Sequence, residues 1–207
     1  MTSVGNQLAR SILCSLVRDS LEMMRMAYIG MGANLASWAG MPEATLAEAA
    51  LRLESLGRVV RRSSLYSTEP IGFAEQPRFV NAVVALDTEL EPRELLRWLL
   101  AIEQEFGRDR AAGFANGPRT LDLDILLLGD LEISERDLDI PHPRLAERAF
   151  VLIPLNEIAS ELVVPGCGET VAQLAVSLAS KARTEAPASS GERHDVVRVR
   201  SAIWDTR

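Results

Sequence analysis

Apolar residues along this chain recur at two spacings, and each switch between them marks an element. Met1 to Arg25 is mixed in character, an N-terminal extension with a short helix over Leu8 to Leu21 as the alternative, and Met23, Met24 and Met26 are each eligible as the working start. Ala27 to Leu35 runs apolar into a Gly-rich turn, which predicts a first core strand. From Pro42 to Leu56 the residues Leu46, Ala49, Ala50, Leu53 and Leu56 recur at helical spacing, and Gly57 is a natural stop. Val59 to Ser67 alternates as a strand does. The loop Thr68 to Pro77 is longer than a tight hairpin requires, so it is a candidate for binding. Phe79 to Leu86 predicts the next strand. Thr88 to Phe106 predicts a helix opened by Glu91-Pro92, with Leu95, Leu96, Leu99 and Ile102 on one face.

A charged, Gly-containing loop, Gly107 to Asn116, leads into a branched apolar run, Gly117 to Gly129, that reads as a strand. Leu131 to Leu138, Ile140 to Pro143, a short helix to Arg148 and Phe150 to Ile153 follow, and Val171 to Ala179 predicts a last helix. Ala182 to Gly191 is rich in Ala, Ser, Pro and Glu, the composition of a linker or disordered tail. The expected organisation is an extension over 1–25, one domain over 26–181 and a tail over 182–207. The order strand, helix, strand, strand, helix, strand predicts an α+β fold: a ferredoxin-like antiparallel sheet with flanking helices, carried mainly on one face.

Within the branched run, Asp122 and Asp124 fall two apart and therefore share a strand face, with alpha carbons roughly 6.5 to 7 Å apart. Leu121, Leu123 and Ile125 then turn toward the core. Two carboxylates on one face repel each other, and burial adds a desolvation cost, so a positive partner is expected. Mg²⁺ fits best, because it takes one or two carboxylates, keeps several waters and accepts phosphate oxygens for the remainder. The alternative is a solvated strand end, or pairing with Arg119 and Arg110.

Composition narrows the chemistry further. The chain has 207 residues and a net charge of -7 with no basic stripe, so nucleic acid is not an expected partner. Lys181 is the single lysine, which leaves no Walker-A loop and gives any phosphate handling to arginine and metal. Cys14 and Cys167 are isolated, against a disulfide framework or a structural zinc site. No apolar run approaches the ~20 residues of a membrane span, so no membrane partner is expected and a cytoplasmic location is.

Arg108, Arg110 and Arg119 flank the acidic strand, and guanidinium forks bind phosphate bidentately while keeping their charge. Metal with mobile arginines is the outfit of phosphoryl or pyrophosphoryl transfer; an ordinary solvated Arg/Asp network is the alternative. His142 stands between two prolines that restrict its backbone, where it can donate to a phosphate oxygen or serve only as a turn residue. Phe79 and Phe150 can stack on a flat heterocycle with Asn81 at its polar edge, or belong to the core. His194 has no role in this reading.

Taken together, Ala27 to Leu35, Ser64 to Gly72, Gln76 to Ala82, Gly117 to Leu128 and Ile140 to Phe150 resemble the 6-hydroxymethyl-7,8-dihydropterin pyrophosphokinases of folate biosynthesis. The resemblance rests most on Pro118-Arg119-Thr120-Leu121-Asp122-Leu123-Asp124 with Pro141-His142, and it spans about Ala27 to Ala179. It implies a three-layer α/β/α arrangement and transfer of the β,γ-pyrophosphate of ATP to the pterin hydroxymethyl oxygen, releasing AMP. It implies ATP as co-substrate and two Mg²⁺ held by Asp122 and Asp124, with Arg108 and Arg119 as catalytic contacts to the triphosphate. Glu103, Arg110, Ile125, His142 and Arg148 would match nucleotide positions, and Thr68, Pro70, Ile71, Phe79, Asn81 and Phe150 the pterin site. The expected partners are ATP and the pterin alone, and a monomer is the expected state. Two other readings remain: another Mg-dependent nucleotidyl or phosphoryl transferase, and a non-catalytic ligand-binding module on the same fold.

Overall fold

The computed structural model describes residues 24–70, 72–110, 116–185 and 195–205, so the reading of Leu8 to Leu21 lies outside the described residues. Strand β1 (Arg25–Ala33) lies antiparallel to β4 (Phe79–Thr88), in register from Arg25 opposite Thr88 to Ala33 opposite Val80. Helix α1 (Pro42–Leu53) follows β1, and β2 (Arg58–Arg62) and β3 (Leu65–Thr68) both pair with β4. These two are the single strand expected over Val59 to Ser67, interrupted at Ser63-Ser64. Ser63 keeps the ladder, donating its N–H to the Val83 carbonyl and accepting the Val83 N–H on Oγ. Ser64 instead turns its N–H and hydroxyl to the Glu157 carboxylate, at 2.8 and 2.7 Å.

Helix α2 (Pro92–Glu105) precedes β5 (Asp122–Leu128), which closes the other edge of β1. Both α1 and α2 open on proline, whose missing N–H costs nothing in a first turn, and carry Glu43 and Glu94 near the positive helix end. A small hairpin, β6 (Ile133–Glu135) with β7 (Leu138–Ile140), then leads to α3 (Ala149–Ala159) and α4 (Val171–Glu185). The short helix expected before Arg148 is one 3-10 turn, Leu145–Glu147, and Phe150 to Ile153 open α3.

Helices cover both faces of the sheet, not mainly one. Leu46, Leu53, Leu95, Leu99 and Ile102 of α1 and α2 pack on Ile29, Met31, Val84 and Leu86. On the reverse face Val151, Leu152, Leu155 and Leu174 of α3 and α4 pack on Val83, Ala85, Leu126 and Leu127. The cause is readable in β4, where every residue but Asp87 is buried: its apolar run from Ala82 to Leu86 needs cover on both sides. This is the three-layer α/β/α arrangement.

The pairing of β1 with β5 slips by one residue between Tyr28, opposite Leu127, and Ile29, opposite Ile125, so Leu126 is the extra residue of a bulge. Asp122 and Asp124 thereby keep the face opposite Leu121, Leu123 and Ile125, while Leu126 and Leu127 both enter the α3 side of the core.

The segment 182–207, expected as a linker or tail, departs from that expectation in its described residues. Ala182 to Glu185 continue α4, β8 (Val196–Val199) pairs antiparallel with β3, and α5 (Ala202–Asp205) buries Trp204. The sheet order is therefore β5-β1-β4-β3-β8. Val196, Val197, Val199 and Trp204 supply the β-branched and aromatic area that Ala182 to Gly191 lack.

Gly57 shows how tightly β2 is set against β4. A Cβ there would lie 2.2 Å from the Asp87 carbonyl oxygen, inside any tolerated contact. Gly57→Ala is expected to cost about 2 kcal/mol, seen as a lower urea midpoint at unchanged slope. An unchanged midpoint would mean the strand end yields freely.

Candidate active site

Strand β5 begins where the sheet meets a cleft of about 270 Å³. Asp122 and Asp124 open into it from β5, Gly32 from β1, Asn81 and Phe79 from β4, and Thr68 from the end of β3. The segment after β7 brings His142, Arg144 and Arg148, and α3 brings Phe150. Five arginines and three carboxylates line the cleft, reversing locally the negative balance of the whole chain.

The two aspartates are compensated unequally. Asp122 accepts from Arg108 Nη1 on one oxygen and pairs with Arg119 Nη2 at 2.8 Å on the other. Burial opposes its ionised form, but Arg119 and Arg108 outweigh that and hold its carboxyl below the usual range. Among the described residues Asp124 pairs with Arg148, at 3.9 Å, and its side chain is 40% exposed. Desolvation and the neighbouring Asp122 charge push it up to about 6. A second positive group is therefore in demand at Asp124.

Glu103 organises the arginines from beneath. It is 1% exposed; its Oε1 accepts from Arg108 Nη1 and the Leu123 N–H, both at 2.8 Å, and its Oε2 from Arg110 at 2.6 and 3.0 Å. Arg108 also donates to the Leu121 carbonyl at 3.0 Å. Burial raises the Glu103 carboxyl even against these donors. With its oxygens spent in this way, Glu103 supports the cleft arginines from beneath and does not itself line the cleft.

Ile125 keeps its side chain buried on the far face of β5 from the carboxylates, so any ligand contact there falls to its backbone. Pro70 does not line the cleft, and Ile71 lies outside the described residues. The structure does bring together Thr68, Phe79, Asn81, Phe150, Arg108, Arg110, Arg119, His142 and Arg148 with the aspartates.

On the acceptor side, Asn81 Nδ2 donates to Thr68 Oγ1 at 2.8 Å, and the pair is buried. Gly32 leaves room beside it, since an added Cβ would stand 3.1 Å from Asn81 Oδ1 and press on that side chain. The Arg119 guanidinium lies 4.8 Å from the centre of the Phe79 ring, and that of Arg148 lies 5.6 Å from Phe150. Both are cation–π contacts, weak enough to exchange for a ligand. Arg119 Nε is buried with no hydrogen-bond partner, leaving that donor unused.

The Arg144 backbone N–H donates to His142 Nδ1 at 3.1 Å, and Arg148 Nη1, which can only donate, lies 3.4 Å from Nε2, so two donors compete for the one acceptor nitrogen of the neutral ring. Burial and the nearby Arg148 charge lower the His142 pKa and favour this neutral form. His142 is held beside β5 by its own N–H, which donates to the Leu126 carbonyl at 2.9 Å.

Asn34, Glu69, Asn116 and Arg144 belong to the site without having been singled out by the sequence. Asn34 Oδ1 accepts the Arg119 N–H at 2.7 Å, while its Nδ2 donates to Gln76 Oε1 and the Pro77 carbonyl, both at 3.0 Å. It thus joins the loop before β4 to the entrance of β5. Its one sequence signal is an Asn directly after the Gly-rich end of β1. Asn116 adopts φ 60°, a left-handed conformation that asparagine tolerates better than most residues, and its carbonyl accepts from Gln76 at 2.8 Å.

Among the described residues no three His, Cys, Asp or Glu converge as a metal cage. The donor set is two carboxylates, one of them under-compensated, in an arginine-rich cleft. That suits a hard dication completing its shell with water and substrate oxygen.

A family described as 7,8-dihydro-6-hydroxymethylpterin-pyrophosphokinase (HPPK) matches residues 28–160. A Pseudomonas aeruginosa protein named 2-amino-4-hydroxy-6-hydroxymethyldihydropteridine pyrophosphokinase is 47% identical over 143 residues, covering 69% of this chain and 86% of that protein. A Methylorubrum extorquens protein of the same name is 43% identical over 157 residues, covering 75% of this chain and 94% of its own length. Among solved structures, wild-type Plasmodium falciparum HPPK-DHPS is similar with a TM-score of 0.63 at 17% identity, a likeness of fold. The match covers 84% of this chain and 48% of that one, so the chain spans about half the length of that solved relative.

The charge asymmetry has a measurable sign. Asp124 holds its proton to about pH 6 when folded, against about 3.9 unfolded, so its stabilising share is complete below about pH 4 and lost as pH rises through 6. With chelator present, Asp124→Asn is expected to raise stability at pH 7 by about 1 kcal/mol, a figure reduced for the side chain's 40% exposure. At pH 4 the two chains should unfold alike in urea. Destabilisation at pH 7 would show that Asp124 is already compensated.

Proposed function

The chain belongs to the 7,8-dihydro-6-hydroxymethylpterin-pyrophosphokinase family, whose reaction in folate biosynthesis moves pyrophosphate from ATP to the pterin, and we propose that it carries out this transfer with Mg²⁺ held at Asp122 and Asp124. The observation that carries the assignment is the unequal pair on β5: Asp122 neutralised by Arg108 and Arg119, Asp124 facing Arg148 at 3.9 Å with its pKa raised to about 6.

The pterin hydroxymethyl oxygen attacks the β-phosphorus of ATP, the bond from that phosphorus to the oxygen shared with the α-phosphate breaks, and AMP leaves as the hydroxyl proton is released. Bound Mg²⁺ supplies charge neutralisation and Lewis acidity for the phosphate oxygens. Arg119 and Arg108 give their forks to the transferred group; the unused Nε of Arg119 supports that role. Arg110, His142 and Arg148 bind the remaining nucleotide oxygens. Glu103 sets Arg108 and Arg110 in place from below.

The pterin ring lies between Phe79 and Phe150, displacing the guanidinium groups from their faces, with Asn81 and Thr68 at its polar edge. Holding the acceptor oxygen in line with the phosphate is the main service of such a site, since positioning and charge account for most of the acceleration of phosphoryl transfer. A monomer in the cytoplasm completes the reading.

Incubation with ATP, Mg²⁺ and 6-hydroxymethyl-7,8-dihydropterin should yield AMP; ADP, or no turnover, would reject the assignment. Asp122→Ala and Asp124→Ala are expected to lower turnover by at least about 10³-fold while remaining folded by circular dichroism. Full activity in either would remove the metal from this strand. Added Mg²⁺ should raise the melting temperature of the unaltered protein and leave that of Asp124→Asn nearly still, a readout independent of catalysis.

A further inference from the structure

The family match ends at residue 160, and β8 and α5 lie beyond it. Far from hanging free, they are fastened at both ends. At one end Trp204 is 3% exposed among the core residues, its indole N–H donates to the Ser63 carbonyl at 2.7 Å, and Arg62 lies over the ring at 5.6 Å. At the other, β8 sets Val196 opposite Thr68, which is itself opposite Phe79 across β4. Val196, Thr68 and Phe79 thus form one row across three strands, and its last two members line the cleft.

Arg78, next to Phe79, ties this row together. Its Nε donates to Ser67 Oγ at 2.9 Å, its Nη1 to Glu69, and its Nη2 to the Ser67 carbonyl at 3.3 Å and the Asp195 carbonyl at 3.1 Å. One planar fork therefore grips the residues on either side of Thr68 and the first residue of the C-terminal segment. A guanidinium, with five donors in a fixed fork, can serve these four acceptors, whereas an ammonium has three donors on one atom. Arg78 itself does not line the cleft, so its influence passes through Thr68, Glu69 and Phe79.

We propose that the C-terminal strand and helix act, through Arg78, as a brace that positions the acceptor wall of the cleft formed by Thr68, Glu69 and Phe79. This rests on the assignment of that wall to the pterin. The brace stands at the opposite end of the sheet from β5, which carries the two aspartates, so its loss is felt by the pterin and not by ATP.

The test is steady-state kinetics on the full chain with Arg78→Ala, Arg78→Lys and Trp204→Ala. Arg78→Ala is expected to raise KM for the pterin on the order of tenfold, the loss of a charge-assisted hydrogen-bond cluster, with KM for ATP within about twofold. Arg78→Lys should recover little of this. Trp204→Ala, where it folds, should raise the same constant, and the double variant should rise less than the product of the two. An Arg78→Ala protein with the unaltered melting curve and unaltered pterin KM overturns the brace, as does an equal rise in KM for ATP. Failure of the unaltered chain to make AMP would instead strike the assigned reaction, which separates the two outcomes.

Discussion

Two carboxylates on one strand face cannot both be ionised cheaply beside a packed core, and the site is arranged around that repulsion. Arg108 and Arg119 settle it for Asp122, whose two oxygens they occupy, and the buried Glu103 holds Arg108 in position to do so. Asp124 is left with one distant arginine and a pKa of about 6. A network that neutralised both would be more stable and would have no use for a cation. Keeping one charge under-compensated is the usual stability cost of a binding site, borne here by the rest of the fold.

That fold can bear it because the sheet is buried on both faces. β4 pairs with β1 on one edge and with β2 and β3 on the other, while helices pack above and below. The carboxylates sit at the start of β5 and the aromatic and amide groups at the starts of β4 and α3 and the end of β3. The floor between them is hydrogen-bonded backbone, which resists the small displacements that would misalign two substrates. Asn34 extends the same rigidity into the loops, joining Arg119 to the Gln76-Pro77 segment.

The arginines are the adaptable part. Arg119 and Arg148 each lie between a carboxylate and an aromatic ring, and Arg110 is half exposed above Glu103. Each contact is individually modest, so an anionic ligand can draw these side chains away without disturbing the strands that carry them. At the far edge Arg78 serves the opposite purpose, with its fork filled by backbone and side-chain acceptors.

Local spacing was enough to place Asp122 and Asp124 on one face, to turn Leu121, Leu123 and Ile125 inward, and to set the order of strands and helices that defines the α+β sheet. Both prolines around His142 and the apolar run Ala82 to Leu86 of β4 are equally plain in the sequence. Glu103, Asn34 and the Val196-to-Trp204 segment were not legible in that way. Glu103 sits at an ordinary helical position, and nothing local says that two arginines and a strand amide will close over it. Asn34 meets Arg119 across 85 positions, and Trp204 reaches Ser63 across 141. A strand's period is a property of its own backbone and can be read from neighbours a few residues away. Which buried donor finds which acceptor is settled only when the layers pack and exclude water, because only then does an unpaired polar group become costly.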